Sequence, residues 1–243
     1  MQSKRLTSYL TQLTRLGCVN CFLVQEDDGL TLVDTNLSGS TGLILEAAKH
    51  LRGPIQRILL THSHVDHIGS LDGMAAALPN AAVLIGDRES RLLKKDLSVD
   101  PDEPRAKPRG IYPGAKTQPT QLLKEGDHVG HLRVIETRGH TPGHLAFLDE
   151  RDGTLLAGDA LVGYARLRVV GDAPWYFGLA NIATWHARTA LESAHKLMML
   201  DLDGVAMGHG TAIIGTEARD AMTDAVFHAE KKFGGVTDPV TGN

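Results

Sequence analysis

The stretch Thr61 to Ser70, THSHVDHIGS, places three histidines and an aspartate within six positions. Even for a chain with 12 histidines, an HxHxDH pattern arises by chance in only ~1 of a few hundred such sequences. The stretch follows the apolar run IQRILL and leads into IGSLDGMAAAL, so it reads as the end of a buried strand entering a helix. Strand ends feeding loops are where α/β folds gather ligands. In an extended segment His62 and His64 project to the same side, while Asp66 and His67 lie at the turn into the helix. Imidazole nitrogens with carboxylate oxygens suit zinc, iron, manganese or cobalt.

The rest of the chain alternates short apolar runs with amphipathic stretches. Strands are expected at 18–24, 30–35, 55–61, 81–86, 132–137, 144–149, 154–160 and 204–208, and helices at 40–51, 69–78, 87–97, 184–201 and 216–232. The turn EDDG joins the first two strands as a hairpin. Later strands alternate with helices, which predicts sheets covered by helices rather than an all-β sandwich. Residues 98–120 hold five of the ten prolines and cannot be a helix interior or central strand. Residues 161–183 form a second long loop carrying Trp175, Tyr176 and Phe177, which line a pocket, anchor the loop to the core or form a subunit contact. Neither segment is Gly/Ser-rich, so residues 1–243 are expected to form one domain.

Composition narrows the partners. The 243 residues are 42% hydrophobic and 22% charged, with a formal net charge of −4, ordinary values for a globular protein. No basic face is advertised, which argues against nucleic acid and anionic membranes as partners. No apolar run is long enough for a signal-peptide core or a membrane span, so a cytoplasmic protein is expected. Cys18 and Cys21 form a CxxC without a second pair, which reads as two structural thiols.

Further metal donors are sought downstream at apolar strand ends rich in glycine. Three qualify: His140 in TRGHTPGH, Asp159 in LLAGDAL and His209 in AMGHG. Taken in order, HxHxDH, the histidine of GHTPGH, the aspartate of GDA and the histidine of GHG resemble the metallo-β-lactamase superfamily, over most of the chain. That resemblance implies an α/β fold of four layers, an αββα sandwich with metals at one edge. It also implies that His62, His64 and His140 hold one cation, that Asp66, His67 and His209 hold the other, and that Asp159 bridges them. Two divalent ions, zinc first and iron, manganese or cobalt next, are the expected cofactors. His144 is expected to be structural or to support a ligand, Asp34 to order a loop beneath the site, and His50, His128, His131, His186, His195 and His228 to be hydrogen-bonded core residues.

By the same resemblance, a hydroxide shared by the two cations attacks a small ester-like carbonyl, and Asp66 orients it and carries its proton to the leaving group. True β-lactamases of this fold generally have Cys or Ser where Asp159 stands, which favours the lactonase, thioesterase and phosphodiesterase branch. A lactone is the expected substrate, with Tyr164 donating a hydrogen bond to its carbonyl or leaving oxygen. Alternatives are a glyoxalase II-like thioesterase, a phosphodiesterase, β-lactamase-type amide hydrolysis and, from a different class, a non-catalytic binding module. A small-molecule substrate is the expected partner, with a homodimer allowed.

Overall fold

In the computed structural model, the residues described are 1–173 and 178–233, with the side chains of 178 and 179 left aside; Trp175, Tyr176 and Phe177 lie outside them. The first half runs β1 (Gln2–Arg5), β2 (Leu10–Arg15), β3 (Val19–Glu26), β4 (Gly29–Val33), α1 (Thr41–Ala48), β5 (Ile55–Leu59), α2 (Val65–Ile68), α3 (Leu71–Ala77), β6 (Ala82–Gly86), α4 (Asp87–Leu93) and β7 (Gln121–Leu123). The second half runs β8 (His128–Val129), β9 (Leu132–Glu136), β10 (Leu145–Asp149), β11 (Thr154–Leu156), β12 (Leu161–Gly163), β13 (Leu167–Val169), α5 (Gly178–Ile182), α6 (Ala187–Met198), β14 (Gly204–Ala206), β15 (Ile213–Ile214) and α7 (Glu217–Phe233).

Strands β1 to β7 lie side by side in chain order as a seven-stranded sheet, antiparallel up to β4 and parallel from β4 onward. A six-stranded sheet has the order β15-β14-β11-β10-β9-β8, with β11 and β14 its parallel pair. Side-chain alternation sends neighbouring residues to opposite faces, and both faces of the central strands are largely apolar. Phe22, Val24, Val33, Leu59 and Leu84 of the first sheet meet Leu132, Val134, Leu145, Phe147 and Leu156 of the second. The opposite face of the first sheet, including Leu23, Leu32 and Ile58, packs on Ile44 of α1 and Leu71 and Met74 of α3. The second sheet is covered by α6 and α7, the latter burying Ala218, Met222, Ala225, Val226 and Ala229 at helical spacing. Three apolar layers between four layers of structure give the αββα sandwich.

Two segments differ from expectation. The N-terminal residues form β1 and β2, which had no expected counterpart, and β1 is a polar edge strand exposed at every position. Residues 161–183 are not a bare loop: β12 and β13 pair with each other, and Leu161, Val162, Leu167 and Val169 enter the core. Residues 98–120, by contrast, contain no helix or strand. Among the described residues no helix is long and apolar enough to cross a membrane.

Gly69 closes α2 against the loop after β4. A Cβ there would lie 2.5 Å from Ser38 N and Val65 O and 2.8 Å from Asn36 O. These are backbone atoms that cannot swing aside, so overpacking should destabilise by about 1–3 kcal/mol. Gly69→Ala is therefore expected to lower the denaturation midpoint, and an unchanged midpoint would show that the α2 junction is pliable.

Candidate metal centre

The predicted donors all leave strand ends on one edge of the sandwich. His62 and His64 follow β5, Asp66 and His67 lie on the single turn of α2, and His140, Asp159 and His209 follow β9, β11 and β14. Leu145 N donates to Thr61 O at 3.0 Å and Asn20 N to Gly208 O at 2.8 Å, so the two sheets are joined where the donors emerge. His64 Nδ1 lies 3.1 Å from His62 Nε2 and 2.9 Å from His140 Nε2. His209 Nε2 lies 3.1 Å from Asp66 Oδ2 and 3.2 Å from Asp159 Oδ2. Asp159 also reaches His140 Nε2 at 3.5 Å and His67 Nε2 at 3.4 Å, so its carboxylate stands between the two groups. Only Asp66 of the seven is not buried.

The outward nitrogens determine what the inward ones can do. His64 Nε2 faces Arg109 O at 2.8 Å and His209 Nδ1 faces Cys18 O at 3.1 Å; a carbonyl only accepts, so both nitrogens donate. His67 Nδ1 donates in the same way to Asp34 Oδ2 at 2.7 Å. The Thr61 hydroxyl donates to Asp34 Oδ2 and so accepts from His62 Nδ1. The Thr184 hydroxyl donates to Ala180 O and accepts from His140 Nδ1 at 3.5 Å. Each neutral imidazole is therefore left with a bare lone pair on its inward nitrogen. Donors ~2.0–2.1 Å from a tetrahedral cation stand about 3.3 Å apart, close to the spacings within this cluster.

Two further observations fit a cation. His67 Nε2 and Asp159 Oδ1 are buried without a hydrogen-bond partner. Gly208 faces them, and a Cβ there would strike Asp159 Oδ1 and come within 2.6 Å of His67 Cε1. The space they share is kept clear by the lack of a side chain. Charge follows the same division. Burial and the neighbouring imidazoles push His62 and His140 well below the ordinary histidine range. Burial also lowers His64. At His67 and His209, burial is outweighed by the carboxylates of Asp159, Asp66 and, for His67, Asp34, and both are raised. Asp159 and Asp66 are held low, because His67 and His209 outweigh their burial.

Several supporting residues carry the donors. Asp34 takes the Thr61 backbone N–H as well as its hydroxyl and His67, from a left-handed backbone at φ 60°. His144 accepts from Asp159 N at 3.0 Å and donates to Thr137 Oγ1 at 2.8 Å. Burial pushes it down to about 3, which keeps it neutral and able to accept. Glu89 was missed by sequence reasoning. Wholly buried, it accepts from Ser63 N, Thr141 Oγ1 and Gly143 N, tying the turn of His62 and His64 to that of His140. Its place in the first turn of α4 makes it look like an ordinary helix-start acid.

The proline-rich segment 98–120 walls this side, with Arg109 O on His64 and the Tyr112 ring 4.7 Å from it. Tyr164 is half-buried and stacks on His209, ring centroids 6.5 Å apart at 26°. Cys18 and Cys21 are free thiols, and Cys18 serves through its carbonyl. The other histidines are not core residues. His128, His131, His195 and His228 pair with carboxylates near the surface, His50 is exposed, and His186 caps α6.

Residues 15–209 match the metallo-beta-lactamase superfamily. The uncharacterized protein YobT of Bacillus subtilis (strain 168) is 42% identical over 233 residues, covering 93% of this chain and 99% of its own. A hydroxyacylglutathione hydrolase of Pectobacterium carotovorum is 30% identical over 171 residues, 68% of this chain and 57% of its own. The metallo-beta-lactamase from Pontibacter korlensis superposes with a TM-score of 0.70 at 16% identity, over 94% of this chain and 98% of its own. The chain belongs to the metallo-beta-lactamase superfamily. It is thereby a metal-dependent hydrolase in its broad class.

Asp34→Asn would set an N–H against the His67 Nδ1–H and favour the wrong tautomer. Loss of such a partner typically costs 10–100-fold in metal affinity, and competition with a chromophoric chelator should read a loss of that size. Affinity equal to the parent chain would remove Asp34 from this role. Gly208→Ala should abolish tight binding at Asp159 and His67 while leaving the far-ultraviolet circular dichroism intact.

Proposed function

We propose that this chain is a dinuclear hydrolase of small ester-like substrates, with a lactone the first choice. In this reading His62, His64 and His140 hold one cation, Asp66, His67 and His209 hold the second, and Asp159 lies between them. The observation that carries it is the convergence of four inward nitrogens on the Asp159 carboxylate, with that of His64 set against His62 and His140, each of the five having its outer nitrogen engaged. Two bound cations, zinc first among zinc, iron, manganese and cobalt, would supply Lewis acidity and lower the pKa of water towards ~7.

The chain's own groups do the rest. Asp66, the most open of the seven and kept anionic by His67 and His209, takes the proton lost by water as its oxygen adds to the carbonyl. It returns that proton to the ring oxygen as the C–O bond breaks, giving a hydroxy acid. Tyr164, beside His209, donates its hydroxyl proton in a hydrogen bond to the carbonyl or leaving oxygen. Residues 1–243 act as one domain on a diffusible substrate in the cytoplasm. A thioesterase is the second reading, favoured by the likeness to the hydroxyacylglutathione hydrolase.

Elemental analysis of metal-replete protein should return about two ions per chain, and one tightly held ion would undo the dinuclear assignment. Asp159→Ala should lower occupancy of both sites and depress hydrolysis strongly; parental metal content and turnover would show that Asp159 is no bridge. Values of kcat/KM on lactones, S-acyl-glutathione, bis-aryl phosphodiesters and β-lactams decide the substrate. A preference for any of the last three would sink the lactonase reading and leave the metal assignment standing. Tyr164→Phe should slow lactone turnover with metal content intact.

A further inference from the structure

The β1–β2 hairpin forms one wall of an open cleft of about 510 Å³ beside the metal centre. The cross-strand pairs Gln2–Thr14 and Lys4–Gln12 line that wall, as the two-residue alternation of the strands requires. The opposite wall holds Gly163, Tyr164 and Gly210. Tyr164 stacks on His209, Gly163 N donates to His209 O at 3.0 Å, and Gly210 follows it in the chain. The cleft therefore adjoins His209, the donor nearest its wall, through Gly163, Tyr164 and Gly210.

Its chemistry is one-sided. None of the described lining residues is acidic and none carries a large aliphatic chain; one is a lysine, and amides, hydroxyls and glycine backbone make up most of the rest. Gln12 adds a specific acceptor. Asn20 Nδ2 donates to Met207 O and Gly210 O, so Asn20 Oδ1 must face Gln12 and Thr14. The Thr14 hydroxyl donates to that oxygen, and Gln12 Nε2 donates to both. The orientation of the Gln12 amide is thus determined by its neighbours. Its other end, Oε1, is buried and has no hydrogen-bond partner among the described residues, in a residue that is only 8% exposed. A buried acceptor left in this state favours any ligand that brings it a donor.

The geometry points to a substrate whose far end lies in this cleft, with an N–H or O–H for Gln12 Oε1 and a carboxylate for Lys4. This rests on the hydrolase reading and deepens it: the substrate is a hydrophilic acid, not a long-chain acyl lactone. Lys4, Gln12 and Thr14 determine specificity, since they touch the arm and not the reacting carbonyl.

The test uses two lactones differing only at the end of a short acylamino arm, one ending in carboxylate and the other in primary carboxamide. The zinc-loaded protein should prefer the acid, and Lys4→Glu should lower the acid-to-amide ratio of kcat/KM by about tenfold or more. In parallel, N-acetylglycine and N-acetylglycinamide are titrated into the same zinc-loaded protein while backbone amide shifts are followed by NMR. Shifts at Gln12, Thr14, Gly17 and Gly210 should appear with the acid, be weaker with the amide, and vanish in Lys4→Glu. An unchanged kinetic ratio, or equal shifts from both probes, would overturn the inference. If neither lactone is hydrolysed, the lactonase reading falls and the shift titration alone decides the cleft.

Discussion

Bare imidazole nitrogens facing one another at about 3 Å repel, and holding them there is the constraint around which this molecule is built. Buried polar atoms without partners are costly in any fold. Here they are held by a second ring of hydrogen bonds that leaves each imidazole one choice of tautomer. Asp34 shows the economy of the arrangement: one carboxylate fixes Thr61 twice and His67 once, and through Thr61 it also sets His62. Glu89 does the same from the other side, binding the turn of His62 and His64 to that of His140. A cation entering such a site meets donors already oriented.

The sandwich makes this possible because its donor-bearing strands end on the same edge. β11 and β14 are buried at every position, and β5 and β9 bury Ile58 with Leu59 and Val134 with Ile135 near their ends, so their depth in the molecule is set by packing and only the residues beyond are released to the site. The close approach at Gly208 and the inter-sheet bonds of Asn20 then bring the two edges together at a fixed spacing.

Much of this was legible in the sequence, and the failures follow from the same physics. All eight expected strands and all five expected helices exist. Yet the strands expected at 55–61, 154–160 and 204–208 stop at Leu59, Leu156 and Ala206. Leu60, Ala157 and Met207, the first residues beyond those points, are as apolar as the strand proper, but the chain there leaves the ladder to deliver donors. The donors themselves carried a local signature of residue type and glycine. Glu89 and Thr184 carried none, since their roles depend on contacts made only after distant segments pack. The β1 strand was hidden for a third reason: QSKR is polar because an edge must be, and polarity reads as loop.

The seam between the start of β3 and the end of β14 joins residues 187 positions apart, from Asn20 to Met207. His209 is held by that seam through the carbonyl of Cys18, while His62, His64, Asp66 and His67 lie within one short stretch. During synthesis the chain therefore displays the first four donors long before it can offer the last. Until residue 209 has been made and docked, no ring of ligands is closed around the second position. Commitment of metal to the complete centre is in this way tied to the closing of the chain upon its own beginning.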